Sequence, residues 1–237
     1  MSSTLNKVGI IVFSKNDGKT VIQTLSELLE LKETYNIDIV YIDDFSSLED
    51  FKLIEKYFKI KKNSEIRIVA KNKIEKPGIT SSIIKGMDFT EARKIIPLPG
   101  HHMFSKKEIS KLINESDKYD LVIGHRSNLF KARPIGKYLA SKVLYLVSQI
   151  IPEYRGLKDL HGLNLYPKDL LIETLPLCRP HENHLIPLKI GIRKKLKIKI
   201  IKIEIRIKHK SESKKIGRRQ WPKLSDIKDS VNDLINL

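Results

Sequence analysis

VGIIVF (Val8–Phe13) is followed by SKNDG (Ser14–Gly18) and then by Lys19–Leu31, which carries Val21, Ile22, Leu25, Leu28 and Leu29 on a polar background. The first run is short, β-branched and apolar without alternation, which suits a strand covered on both faces. The second is a polar loop, and the third repeats its apolar positions at the spacing of one helix face. Working outward, the cycle recurs: IDIVYI (Ile37–Ile42), the loop DDFSS (Asp43–Ser47) and a helix over Leu48–Phe58; EIRIVA (Glu65–Ala70) and a helix over Gly78–Met87; KIIPL (Lys94–Leu98) and a helix over Ser105–Ile113; then DLVI (Asp120–Ile123). Strands alternating with helices predict βαβ units and a mostly parallel sheet.

The second half changes character. Pro134–Ile151 reads as a long amphipathic helix whose proline sits near the first turn, where its missing N–H costs least. Leu163–Tyr166 is a short strand. Glu182–Arg193 is helical in pattern, with Pro187 expected to disturb it. LKIKIIKIEIRI (Leu196–Ile207) has period two, a half-buried strand, and its Ile200–Ile201 pair reads as a bulge. A basic loop over Lys208–Lys223 and a closing helix over Ser225–Leu237 complete the chain. The expected fold is α/β and Rossmann-like, one domain over 1–237, whose halves at about 7–125 and about 126–237, the second with a basic tail, differ in pattern. A small antiparallel extension is expected in the second half.

Composition narrows the function. Apolar residues at 41% and charged residues at 31% fit a globular chain and exclude a disordered one. The excess of 45 lysines and arginines over 28 acidic residues, a formal charge of +17, favours anionic partners: nucleotides, lipid phosphates, an anionic membrane surface or nucleic acid. No stacking-aromatic motif or nucleic-acid module accompanies that charge, which disfavours nucleic acid. The single cysteine, Cys178, allows no internal disulfide and fits a reducing compartment. The polar start MSSTLNK is no signal peptide, and no apolar run approaches the ~20 residues of a membrane span. These features argue for a cytoplasmic protein whose attachment to the inner face of a membrane, if any, is peripheral. A homo-oligomer stays open.

Ligands of parallel α/β sheets lie beyond the carboxyl ends of the strands. The chain places polar loops there: Asn16 and Asp17 after the first strand, Asp43 and Asp44 after the second, Asn72 after the third, and Pro99–His102 after the fourth. Carboxylates in such loops can accept hydrogen bonds from base N–H groups or ribose hydroxyls.

The order of these loops, followed by N-x5-G-x3-S-x3-G (Asn72, Gly78, Ser82, Gly86), PLPGHH, DLVIGHR and DLHGLNLYPKDLL, resembles family 2 glycosyltransferases of the GT-A fold. Within them it looks most like the dolichyl-phosphate mannose synthase and polyprenyl-phosphate glycosyltransferase branch, over roughly residues 7–214. The resemblance implies transfer of a sugar from a nucleotide-diphosphate sugar to a polyprenyl phosphate or glycan acceptor, with inversion at the anomeric carbon. It implies that Asn16 and Asp17 lie over the nucleotide, that Asp43 and Asp44 recognise base and ribose, and that Asn72, Gly78, Ser82 and His101 flank the diphosphate and sugar. The resemblance makes about 7–125 the nucleotide-sugar-binding half and about 126–237 the acceptor-side half, and it implies that Arg126, of D-x-V-x-G-x-R, faces the cleft and that Arg126, Arg133 and Lys137 meet the acceptor. Lys208 and Lys214 match R-x-x-G-x-S-K, with Ser211 in place of its glycine, and reach over the phosphates. Asp159 opens a motif like D-x-x-x-G-x-R-x-Y-x-R, one residue shorter before Gly162 and with Asn164 in place of the arginine.

The largest departure follows the fourth strand. The family has D-x-D or P-x-D-x-Q there, holding Mg²⁺ or Mn²⁺ across the diphosphate. This chain has Pro99-Gly100-His101-His102, with His101 at the main aspartate position. Three readings stand: His101 or His102 binds a metal, for which imidazole suits Zn²⁺ better than Mn²⁺; lysines and arginines clamp the diphosphate without metal; or the chain binds a sugar nucleotide without turnover. His181-Glu182-Asn183-His184 invites a zinc reading, but its histidines are three apart rather than four. Glu182 and Asp159 are the two candidates for a base, which a sugar hydroxyl acceptor needs and an ionised lipid phosphate does not. The 134–151 helix, with Tyr138, Leu139, Val143, Leu144, Leu146, Val147 and Ile150, suits either a membrane surface or the sheet.

Overall fold

A computed structural model describes residues 7–60, 65–72, 74–132, 135–180 and 184–207. Its centre is β1 (Val8–Ser14), all seven residues of which are buried. Both faces of β1 are covered, so it needs no polar alternation. Val8, Ile10 and Val12 pack into a core with Leu25 and Leu28 of α1 (Gly18–Lys32) and Ile54 and Phe58 of α2 (Leu48–Ile60). Ile11 and Phe13 point the other way, into a second core with Ile83 and Met87 of α3 (Ile79–Met87). One sheet thus separates two apolar layers, the three-layer arrangement of α/β proteins.

Around β1 run β2 (Ile37–Asp43), β3 (Ile66–Ala70) and β4 (Lys94–Pro99), followed in sequence by α4 (Lys106–Asn114) and β5 (Leu121–Arg126). The second half supplies α5 (Leu129–Ala132), α6 (Ile135–Ser148), β6 (Asn164–Pro167), α7 (Lys168–Thr174), α8 (Leu185–Arg193) and β7 (Ile198–Ile203). The seven strands are ordered β3-β2-β1-β4-β6-β5-β7. β1 pairs parallel with β2 and β4, β2 with β3, and β5 with β7. β6 alone is antiparallel, to both β4 and β5. It lies inside the sheet, so the expected antiparallel extension is a bridge that joins β5 and β7 to β4 and the strands beyond it. Because β6 opposes both neighbours, β5 runs the same way as β4, and their carboxyl ends share one edge.

Two local expectations are corrected. Pro187 does not disturb its helix: α8 begins at Leu185, so the proline occupies the third helical position, where no intrahelical N–H bond is lost. The Ile200–Ile201 pair makes no bulge, because β5 and β7 pair residue for residue from Leu121↔Ile198 to Arg126↔Ile203. The pair marks a change of apolar face instead. Ile198 packs into the second core and Ile201, Ile203 and Ile205 into the first.

α6 carries both faces that its sequence allows. Leu144 and Val147 pack against the second core, while Ile135, Leu139, Val143 and Leu146 are exposed, and Ile150 just beyond the helix continues the stripe. No helix among the described residues is long and apolar enough to cross a membrane.

Candidate active site

The carboxyl end of β1 ties three loops together. Its Ser14 carbonyl accepts from Asp44 N–H at 2.8 Å and its Phe13 carbonyl from Gly100 N–H at 2.9 Å, so the loops after β2 and β4 flank the loop after β1. Asn16, at φ 56°, accepts Ser47 N–H at 2.7 Å on Oδ1, and its own N–H donates to Ser46 Oγ at 2.8 Å. Asp17 sits half-buried at the start of α1. Positive φ recurs on this edge, at Asn16, Phe45, Gly78 and His102. For a bulky side chain such as Phe45 this is costly and characteristic of ligand-binding loops.

Asp44 is the centre of the densest polar network. Lys71 Nζ reaches its Oδ1 at 2.7 Å, and Gly78 N–H donates to both carboxylate oxygens at 3.2 and 3.0 Å. The same ammonium donates to Lys76 O, Gly78 O and Ser81 Oγ, and its side chain is 1% exposed. Lys71 therefore locks the loops after β2 and β3 to the start of α3. The sequence reading missed it, although a lysine at the end of the apolar run EIRIVA stands on the same sheet edge as the residues it did select. Asp43 is buried, accepting from Tyr41 O–H at 3.1 Å and Ser46 N–H at 3.0 Å. It shapes the loop from within. Burial raises the Tyr41 phenol well above its ordinary value, so it stays a donor.

Asn72 is exposed and closes a turn through Ile74 N–H at 3.1 Å. Gly78, at φ 120°, approaches Pro180 so closely that a Cβ would meet its carbonyl oxygen at 2.6 Å. That contact places the 179–180 segment over the start of α3, where Thr80 N–H and Oγ1–H donate to Pro180 O and Arg179 O. Ser82 departs from its expected role: it is wholly buried and donates to Gly78 O at 2.8 Å, which supports the loop from beneath and leaves no surface for a ligand.

After β4, His101 occupies a half-buried turn position. His102, at φ 53°, turns toward α1, and its Nε2 lies 2.9 Å from Glu27 Oε1. Glu27 also accepts Lys106 N–H at 3.0 Å and the Arg206 guanidinium. Burial opposes ionisation of Glu27, but His102, the Lys106 N–H and Arg206 outweigh it and hold the carboxyl below its usual range. Among the described residues no group of three or more His, Cys, Asp or Glu side chains is placed to hold a metal ion. With His102 engaged by Glu27 and Asp44 by Lys71, the described residues around this turn offer a divalent cation no preformed set of three such ligands.

Arg126 and Asp159, predicted as acceptor cation and base, meet each other. Arg126 Nε and Nη2 each lie 2.6 Å from the carboxylate, its N–H donates at 3.0 Å, and the side chains are 4% and 6% exposed. Burial disfavours the Asp159 anion, but Arg126 more than compensates and holds the carboxyl well below its usual range. Such a carboxylate is a poor proton acceptor, so Asp159 is a positioning residue and not a base. Two motif glycines make the pair possible. A Cβ on Gly162 would stand 1.6 Å from Gly124 O, and one on Gly124 2.4 Å from Leu163 O. Backbone therefore touches backbone, and Asp159 reaches Arg126 despite the shorter spacing. Asn164, in the arginine position, is buried, accepting Gly124 N–H and donating to Tyr166 Oη at 2.7 Å. That hydroxyl lies 3.3 Å from His184 Nδ1.

Beyond Arg126 opens a cavity of about 650 Å³ between β5, β7, α6 and the 158–161 loop. It includes Arg126 and Asp159 from the predicted set, Lys142 of α6, and also His125, Lys158 and Lys202, which the sequence reading did not select. His125 stands inside the motif DLVIGHR, between the glycine and the arginine, where it was legible. Lys137 lies on α6. Glu182, Arg133, Lys208 and Lys214 lie outside the described residues; Pro180 and His184 flank the first of them, and Arg206 N–H bonds Met103 O at 2.9 Å two positions before Lys208.

Residues 9–147 match the sequence profile described as glycosyl transferase family 2. No curated protein matches the chain. Solved structures of glucosyl-3-phosphoglycerate synthase from Mycobacterium tuberculosis share its fold. One, in complex with phosphoglyceric acid, superposes with a TM-score of 0.69 at 12% identity, covering 98% of this chain and 81% of that chain. A second, holding Mn²⁺, UDP and glucosyl-3-phosphoglycerate, gives 0.67 at 11% identity over 98% and 81%. A third, with Mn²⁺, UDP-glucose and phosphoglyceric acid, gives 0.67 at 12% over 97% and 77%.

Proposed function

Since the chain belongs to glycosyl transferase family 2, an enzyme family of sugar transfer, we propose that it moves a sugar from a nucleotide-diphosphate sugar to a polyprenyl phosphate. The observation that carries this reading is the shared edge on which Phe13 and Ser14 carbonyls bind the loops holding Gly100 and Asp44. Each carboxylate oxygen of Asp44 has two lone pairs, and among the described residues Oδ2 accepts only from Gly78. With its side chain 15% exposed, Asp44 keeps capacity for one donor from a base or ribose. Phe45, held at φ 60° beside it, offers a ring face for stacking.

The donor diphosphate is clamped by cations in this reading rather than by a metal. The backbone of Arg206 docks at Met103, next to the turn after β4, and Lys208 and Lys214 follow it in sequence. The anionic leaving group then departs against fixed positive charge. Mn²⁺ accompanies UDP in the mycobacterial enzyme, but the residues here suit that ion poorly. A phosphate acceptor is already ionised and needs no base, which fits a site whose one described candidate carboxylate is held by Arg126. The exposed stripe of α6 beside the cavity suits the apolar tail of a lipid acceptor and peripheral contact with an anionic membrane surface. The whole chain, 1–237, acts as one catalytic domain on this reading.

The test is a panel of UDP-, GDP- and CDP-sugars, read first by thermal shift and then by transfer to a short prenyl phosphate with and without EDTA. One donor stabilises the protein, and transfer survives chelation. Loss of transfer in EDTA would transfer the clamping role to a metal, and failure of every donor to stabilise would remove the reading.

A further inference from the structure

His125 lines the cavity beyond β5. It is 8% exposed, and among the described residues no group hydrogen-bonds its Nε2. A buried polar atom left without a partner costs free energy that folding does not recover, so such groups commonly face a ligand. The surroundings say which kind. Lys142 from α6, Lys158 from the loop before β6 and Lys202 from β7 line the same space, and among the described residues none is paired with a carboxylate. The one acidic side chain in the lining, Asp159, is already neutralised by Arg126. Leu129, Phe130, Leu144 and Leu160 supply an apolar part of the same lining. A cavity with an unpartnered imidazole, three lysines and a hydrocarbon wall is matched by an anionic headgroup on an apolar body.

We propose that this cavity receives the phosphate monoester acceptor and that His125 hydrogen-bonds its phosphoryl oxygens. The proposal rests on the glycosyltransferase reading above and names the residue that reads the acceptor.

A consequence follows from the groups around the ring. Burial lowers the proton affinity of His125, Lys158 acts in the same direction and Asp159 opposes them. Arg126 on its own strand, Lys142, Tyr138 and Tyr145 of α6, His161 of the loop and Lys202 of β7 complete the titratable surroundings. The ring is therefore neutral in the empty cavity at about pH 7. A phosphate dianion placed against it reverses the balance, and the ring takes a proton from solvent as the acceptor binds. Binding then carries a linked proton uptake beyond the acceptor's own second ionisation, which lies at about 6.

Calorimetric titration at about pH 7 with geranyl phosphate and with glycerol 3-phosphate, each in two buffers of different ionisation enthalpy, reads affinity and proton uptake together. The wild type binds and takes up a proton. His125→Asn binds about tenfold or more weakly and retains only the ligand's own ionisation. Tighter binding of geranyl phosphate assigns the apolar wall to a lipid tail, and equal binding assigns the site to a small soluble phosphate; both support the phosphate site. Should His125→Asn fail to fold, Lys142→Ala with Lys202→Ala, both at exposed side chains, weakens affinity while keeping the proton uptake. Unchanged affinity and uptake in His125→Asn, or no binding of either phosphate, overturns the proposal. The nucleotide-sugar panel reports on donor binding separately: stabilisation by a donor without phosphate binding sinks this inference alone, and phosphate binding without any donor sinks the transferase reading alone.

Discussion

Asp44 and Lys71 show how a loop residue becomes a fixed contact. The ammonium is 1% exposed and the carboxylate 15%, so removing one partner leaves the other poorly solvated. Asp44→Asn should lose about 3–5 kcal/mol of stability, measured by urea unfolding, together with donor-induced stabilisation. Arg126 and Asp159 obey the same rule more strictly. Their pH behaviour follows from direction alone. Asp159 has its carboxyl lowered, so its contribution is complete above the ordinary carboxylate range and is lost as pH falls through the lower, folded value. His125 shifts stability in the same direction for a different reason: it is buried neutral with a lowered proton affinity, so the unfolded chain binds more protons across the interval below the ordinary histidine value. Stability should therefore fall as pH drops through that interval, and His125→Asn should flatten the slope in urea titrations between about pH 5 and 7.

At the scale of elements, the strand–helix alternation was legible because both faces of β1 are covered and its apolar run is unbroken. The reading failed where a pattern had two physical causes. Ile200–Ile201 marks a change of face and not a bulge, because β7 touches both cores in succession. Pro187 is harmless because its helix starts late enough to put it in the first turn. The polar loops of the candidate site were readable from the rule that ligands lie at carboxyl ends of parallel strands. Their partners were not, since Asp44–Lys71 and Arg126–Asp159 are separated by 27 and 33 residues and leave no periodic trace. Gly162 connects these scales. Gly162→Ala would drive a Cβ onto Gly124 O, and backbone cannot yield as a side chain can. A loss of at least about 1–3 kcal/mol, with loss of the Arg126–Asp159 geometry seen as weaker acid-dependence of unfolding, is the expected outcome.

At the scale of the whole molecule, a formal charge of +17 and an exposed apolar stripe along α6 belong to one surface question. Leu139, Val143 and Leu146 stand exposed on a helix whose other side packs on the core. Co-sedimentation with vesicles rich in anionic lipid should exceed that with neutral ones and weaken with salt. Leu139→Glu with Leu146→Glu should reduce it further while leaving donor stabilisation intact.

The central claim is that loops after β1, β2 and β4 form one nucleotide-sugar site in which Asp44 takes part. Thermal shift of the wild type and of Asp44→Asn, each with and without the donor panel, tests it most directly. At donor concentrations near 100 times Kd the wild type should rise by roughly 5–10 °C, and the variant should rise far less from its own lower starting point. Equal shifts in both proteins, or none with any nucleotide sugar, would contradict the account.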